Sequence, residues 1–238
     1  MSATEPDERQ GLKAWRVIAT IPEFPLVYTE TALVVIDLTV GQIARDGDRY
    51  TRIREAGMAE DAEYAYGRCD NVVVPNTRKL LDAFHENDAP VIFTTCASLT
   101  GDGSDQTWRH RAFGHICAAD SRDAQVVDEL APQDDDMLLV KTGSSAFNST
   151  NIEHLLRNME ISTLVLTGVW TNSCVEGAAR DAGDRDFKVV LAEDCCAAMS
   201  PRGHNGALEY LDRNFCHVKS ADETIQKLAA DTAAASGG

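Results

Sequence analysis

Apolar runs of strand length recur at six places along this chain, at 33–37, 91–95, 137–140, 163–167, 188–192 and 216–218. Most are continuous rather than alternating, the pattern of strands covered on both faces. Between them lie segments with helical spacing: 75–86, carrying Leu80, Leu81 and Phe84; a short one near 124–130; 150–159; the stretch from Cys174 to Gly183; and 206–211. In the Cys174 stretch, Val175, Ala178, Ala179 and Ala182 share one face, and Glu176 and Arg180 form an i,i+4 pair on the other. This alternation predicts an α/β fold of three α-β-α layers, a parallel sheet with helices on both faces.

Two stretches interrupt the pattern. The charged segment 41–70 shows no strand period and is long for a connection, so it reads as a lid, a flexible insertion or a solvated loop. Segment 97–119 reads as a second long loop, carrying Trp108, Arg109, His110 and Arg111. Residues 1–15 and 229–238 read as loose tails, so a single domain spans 1–238 with its core over about 30–228.

Composition narrows the class. A chain of 238 residues, 44% hydrophobic, suits one domain with a large core. A net charge of −16 excludes nucleic acid and anionic membranes as partners, since both need a basic surface. The polar, acidic start does not resemble a signal peptide, and no apolar run approaches the about 20 residues that span a bilayer, so a cytoplasmic location is expected. Seven irregularly spaced cysteines fit a reducing compartment, and the adjacent Cys195 and Cys196 read as buried thiols. His85, His110, His115, His154, His204 and His217 have no zinc-like spacing, so neither metal nor organic cofactor is expected.

The chemistry gathers at the ends of three strands. Asp37 follows the first run, Lys141 follows the third, and Cys174 follows the fourth after a short turn, 169–173. In a parallel sheet these ends share one edge, where open α/β folds bind ligands. A thiol in the first turn of a helix meets unpaired N–H groups and the positive end of the dipole, which predicts a lowered pKa. Asp37 can act as base and Lys141 as the cation that holds the thiolate, and the three should titrate as a unit. The Cys174 N–H is a natural oxyanion donor, with a second from 169–171. A structural Asp37–Lys141 ion pair and a buried, inert Cys174 are the plain alternatives.

These residues carry a resemblance. Asp37 after its strand, Lys141 in the run 140–147 (Val-Lys-Thr-Gly-Ser-Ser-Ala-Phe), and 168–181 (Gly-Val-Trp-Thr-Asn-Ser-Cys-Val-Glu-Gly-Ala-Ala-Arg-Asp) resemble the isochorismatase-like cysteine hydrolases from about Leu33 to Val218. The resemblance implies a six-stranded parallel sheet and an Asp37, Lys141, Cys174 catalytic triad. It also implies a cis peptide at Val169–Trp170, an oxyanion hole from the Trp170 and Cys174 N–H groups, and a homodimer or homotetramer. Asp37-Leu-Thr39 is similar to the N-carbamoylsarcosine and maleamate amidase branch. The runs 171–176 and 193–196 are more similar to ureidoacrylate and biuret amidohydrolases.

The expected activity is therefore cleavage of a linear C–N bond in a small amide, ureide or carbamoyl substrate, through a thioester and with release of ammonia. Thr39, Phe147, Trp170 and Asn172 are expected around the substrate. Trp108 with Arg109 and Arg111 either binds a carboxylate or ureide oxygen or belongs to a solvated loop. The alternatives are vinyl-ether hydrolysis of isochorismate, which needs no cysteine nucleophile, and a catalytically silent binding protein on the same fold.

Overall fold

The computed structural model describes residues 10–114 and 117–237, which leaves His115 outside the described residues. In chain order the elements are α1 (Gln10–Ile18), β1 (Thr31–Ile36), α2 (Val40–Ile43), α3 (Asp48–Glu55), α4 (Ala59–Arg68), α5 (Val74–His85), β2 (Val91–Cys96) and α6 (Trp108–Ala112). Then come β3 (Met137–Lys141), α7 (Ile152–Asn158), β4 (Thr163–Val169), α8 (Glu176–Gly183), β5 (Lys188–Ala197), α9 (Pro201–Leu211), β6 (His217–Lys219) and α10 (Ala221–Ser236).

The six strands are all parallel, in the order β3-β2-β1-β4-β5-β6. Period-two alternation divides their side chains between two cores. Leu33, Val35, Val91 and Phe93 pack with Tyr66, Leu80, Leu81, Phe84 and Leu228 from α4, α5 and α10. Ala32, Val34, Ile36 and Ile92 pack with Ile152, Leu156, Ala178, Ala182 and Leu211 from α7, α8 and α9. Both faces are covered, which is why these strands read as continuous apolar runs.

The chain winds outward from β1 in one direction through β2 and β3, then returns to β4 and winds outward in the other. A crevice opens beyond the strand ends where that direction reverses, between β1 and β4. One glycine permits the close approach there. Gly168 has φ +118°, and a Cβ built on it would lie 1.9 Å from the Ile36 carbonyl oxygen. Only glycine tolerates both conditions.

Three expectations need correction. The segment 41–70 is helical throughout much of its length: α4 buries Ala62, Ala65 and Tyr66, and a π-helical turn, Cys69–Val73, carries the same stripe into α5. That stripe is built largely of alanine and cysteine, so its helical period was faint against the surrounding charge. The helix expected near 124–130 is two isolated turns, Arg122–Ala124 and Asp128–Leu130. The tails also carry structure: residues 10–18 form α1, and 229–236 continue α10. Asp231 accepts the Leu26 N–H at 2.7 Å and Thr232 accepts the Tyr28 N–H at 3.2 Å, which anchors an alanine-rich helical end. Among the described residues no helix is long and apolar enough to cross a membrane.

Candidate active site

Asp37 directly follows β1, with φ +56°, and its N–H donates to the Thr94 carbonyl at 3.0 Å. Lys141 is the last residue of β3, and β2 lies between the two strands. Both side chains are sealed from solvent, at 2% and 0% exposure. The Lys141 ammonium has three protons and three acceptors: the Asp37 carboxylate at 2.7 Å, the Gly143 carbonyl at 3.1 Å and the Cys174 sulfur at 3.6 Å. Burial disfavours the Lys141 cation, but the charges of Asp37 and Cys174 outweigh it and raise its pKa. The Thr94 hydroxyl donates to the other Asp37 oxygen at 3.2 Å. Asp37, Lys141 and Cys174, far apart in sequence, thus converge on one point.

Cys174 lies in a π-helical turn, Thr171–Val175, that precedes α8, which itself begins at Glu176. The thiol shares the Lys141 ammonium with the Asp37 carboxylate. Its pKa is raised rather than lowered, because burial and then the Asp37 charge outweigh the opposing effect of Lys141. The expectation of a resting thiolate is therefore reversed. The helix end is real, but a carboxylate against a buried thiol favours the S–H form. The Val169–Trp170 peptide bond is cis.

A buried strut supports this turn, and the sequence offered no spacing by which to find it. Thr171 Oγ1 lies 2.8 Å from His204 Nδ1, and His204 Nε2 lies 3.0 Å from Arg68 Nη2. Arginine can only donate, so Nε2 is the acceptor, and His204 is a neutral ring that donates through Nδ1 to Thr171. Arg68 is fixed in turn by the Cys196 carbonyl at 2.8 Å and the Glu193 carbonyl at 3.0 Å. Cys195 and Cys196 are buried thiols in β5.

A cleft of about 500 Å³ lies at the same sheet edge, lined by Thr39, shortly after β1, and by Cys96, the last residue of β2; Asp37, Lys141 and Cys174 are not among its lining residues. Its wall includes Thr39, Gln42, Arg49, Arg52, Gln106 and Phe113. Its lining residue Cys96 has a thiol that is pushed up to about 12 by burial and that feels the charges of Lys141, Asp37 and Cys174. Gln42 also accepts a hydrogen bond from Trp170 Nε1 at 3.3 Å, which ties the cleft wall to the turn before Cys174.

Of the other residues expected around a substrate, Thr39 lines the cleft, and Trp170 touches its wall through Gln42. Trp108 is 77% exposed and stands off the cleft. Arg109 binds the Ser144 hydroxyl, and Arg111 binds the Gln106 carbonyl, so both guanidinium groups hold the loop together. Phe147 packs against Phe187 in the core, 5.8 Å between ring centroids, and Asn172 is exposed beside α9. The arginines that do face the cleft, Arg49 and Arg52, come from α3, in the segment that reads from sequence as a lid, a flexible insertion or a solvated loop.

Comparison with known proteins gives the same fold and family. The isochorismatase domain matches residues 31–223. A ureidoacrylate amidohydrolase from Stutzerimonas stutzeri is 30% identical, over 97% of both chains. An N-carbamoylsarcosine amidase from an Arthrobacter species is 29% identical over 66% of this chain, an alignment that spans 62% of that enzyme's length. Among solved structures, a cysteine hydrolase from Pseudomonas syringae pv. phaseolicola superposes with a TM-score of 0.74 at 24% identity, covering 90% of this chain and 98% of that one. An N-carbamoylsarcosine amidase from Thermoplasma acidophilum superposes with a TM-score of 0.62 at 26% identity, covering 81% of this chain and 97% of that one. With a doubly wound parallel sheet, an acid, a lysine and a cysteine meeting at its crevice, and a domain match over 31–223, this chain belongs to the isochorismatase family of hydrolases.

Proposed function

We propose that the protein is a cysteine-dependent amidohydrolase that cleaves a linear C–N bond of a small ureide, carbamoyl compound or amide and releases ammonia. The observation that carries this is the buried convergence of Asp37, Lys141 and Cys174 at 2.7 and 3.6 Å around one ammonium. The thiol rests protonated, so activation accompanies attack. Asp37 takes the S–H proton as sulfur adds to the substrate carbonyl carbon, and Lys141 holds the charge passing between sulfur and carboxylate. The Trp170 and Cys174 N–H groups are the proposed donors to the oxyanion. As the tetrahedral adduct collapses, the C–N bond breaks and Asp37 returns its proton to the departing nitrogen, leaving a thioester. Water, losing a proton to Asp37, then adds to the thioester, and collapse breaks the C–S bond; the thiolate leaving it recovers that proton from Asp37.

Relatives named for ureidoacrylate and N-carbamoylsarcosine support a substrate with both a carbamoyl group and a carboxylate. For the carboxylate, the cleft offers Arg49, which has no acidic partner among the described residues. The test is ammonia release from biuret, ureidoacrylate, N-carbamoyl amino acids, maleamate, nicotinamide and isochorismate. At least one of the first four should turn over, with mass spectrometry of quenched enzyme locating the acyl adduct on Cys174. Efficient nicotinamide hydrolysis with none of those four accepted, or vinyl-ether cleavage alone, would overturn the reading.

A further inference from the structure

The two edges of the sheet are finished differently. At one, β6 is three residues long, and its outward N–H at Val218 donates to the Asp212 side chain at 3.2 Å. At the other, β3 pairs with β2 alone. The Ala97 N–H donates to the Lys141 carbonyl at 3.1 Å, so Met137, Leu139 and Lys141 turn their main-chain groups toward β2, while Leu138 and Val140 turn theirs away. Thr142, the next residue of the outward series, has its carbonyl taken by the Thr107 N–H at 3.3 Å. The N–H and C=O of Leu138 and Val140 find no partner among the described residues. Charge, proline and bulges are the devices by which edge strands avoid pairing, and the run Met137-Leu-Leu-Val140 lacks all three, with Leu138 51% exposed.

A second copy of the same strand complements this edge. About a two-fold axis through Leu139, an antiparallel β3 sets Leu138 opposite the partner's Val140 and Val140 opposite the partner's Leu138. Each such pair exchanges two main-chain hydrogen bonds, so every free group of both strands is answered in one register. A slip of one residue would set outward groups against inward ones. The same register makes apolar cross-strand pairs, Leu138 with Val140 on one face and Leu139 with its own copy on the other. Charge agrees with it. Continued outward, the register brings the partner's exposed Asp134 to Ser144, whose hydroxyl binds Arg109. Arg109 has no acidic partner, and Asp134 and Asp135 have no basic one, among the described residues. An unpaired cation thus meets unpaired carboxylates at both ends of the ladder.

We propose that β3 is a homodimer interface, two copies joining edge to edge by antiparallel β3 pairing into one continuous sheet, with Arg109 of each copy against Asp134 and Asp135 of the other. This stands independently of the reaction at Cys174. Sedimentation velocity at tens of micromolar protein should give twice the 25.9 kDa chain mass, in about 0.15 M salt so that repulsion between two chains of net charge −16 is screened beyond about 8 Å. Leu138→Pro removes an outward N–H and leaves the bonds to β2, so it should weaken dimerisation by about ten- to a hundredfold with the circular dichroism of a folded chain. A charge series avoids the strand altogether. Arg109→Glu alone, or Asp134→Arg with Asp135→Arg, should weaken dimerisation by about three- to tenfold, and the three substitutions together should restore it. In hydrogen exchange, the Leu138 and Val140 amides should gain protection as protein concentration rises. A wild-type monomer throughout that range, whether or not it captures an extended peptide at this edge, would overturn the proposal. So would a dimer indifferent to Leu138→Pro, a charge series that fails to recover, or Leu138 and Val140 amides already protected in the dilute monomer. None of these outcomes bears on the amidohydrolase reading.

Discussion

The crevice between β1 and β4 and the cleft beside it are built on opposite principles. In the crevice, all three Lys141 donors have acceptors, and both Asp37 oxygens are engaged within the protein. In the cleft, the Arg49 guanidinium has no such partner among the described residues. A buried charge must be answered by the fold itself, because desolvation would otherwise expel it. A recognition group gains by remaining unanswered, because the ligand then supplies what is missing. The two regions are thus distinguishable by hydrogen-bond accounting before any ligand is seen.

The largest expected effects fall in the crevice. Cys174→Ala, Asp37→Asn and Lys141→Ala should each lower kcat/KM by roughly a thousandfold or more, with double variants little worse than singles. Lys141→Ala should also lose about 3–5 kcal/mol in denaturant unfolding, because it strands Asp37 without a cation. Full activity in any one of them, with fold retained, would break the division between the two regions.

The strut beneath the turn lies between the extremes. His204→Leu removes the donor to Thr171 and one of the acceptors of Arg68, which keeps the Cys196 and Glu193 carbonyls. It should lower kcat by about ten- to a hundredfold with KM little changed, as expected of a group that positions the nucleophile turn without touching substrate. A matched rise in KM, measured in the same steady-state series, would place His204 on the recognition side instead.

Cleft variants should act on binding. Arg49→Ala should raise KM for carboxylate-bearing substrates by about tenfold and spare neutral biuret. Arg109→Ala and Arg111→Ala should stay within about twofold for both, since their guanidinium groups are spent on the loop. The reverse ranking would restore the loop arginines as the anion site.

The smallest effect is on stability against pH. Burial raises the Cys69 and Cys96 thiols from an ordinary 9.0 to about 12. A raised folded pKa means that the folded state holds the proton more tightly, so this contribution is complete below pH 9 and is lost between about pH 9 and 12. Melting temperature should therefore fall from pH 9 upward, with a loss of about 1 kcal/mol per thiol at pH 10. Cys174 should likewise react with iodoacetamide slowly at pH 7 and faster above pH 9, since burial and Asp37 keep it protonated. Rapid alkylation at neutral pH would mean that the crevice holds a thiolate after all.

Sequence alone determined the six strands in their chain order and the ionisable residues that follow them. Those features are local: a buried strand is a run of apolar residues, and a residue that ends a run sits at the sheet edge whatever surrounds it. The helices of 41–70 escaped because small residues form their buried stripe and leave little hydrophobic period. Only the tertiary structure decided the rest. It replaced Arg109 and Arg111 with Arg49 on the cleft and placed His204 against Thr171. It also reversed the sign of the Cys174 pKa shift, since burial and a neighbouring carboxylate outweighed the helix end that the sequence could show. Partners in space depend on packing between segments far apart in the chain, and neither charge nor spacing along the sequence records which polar group the fold will satisfy and which it will leave for a ligand.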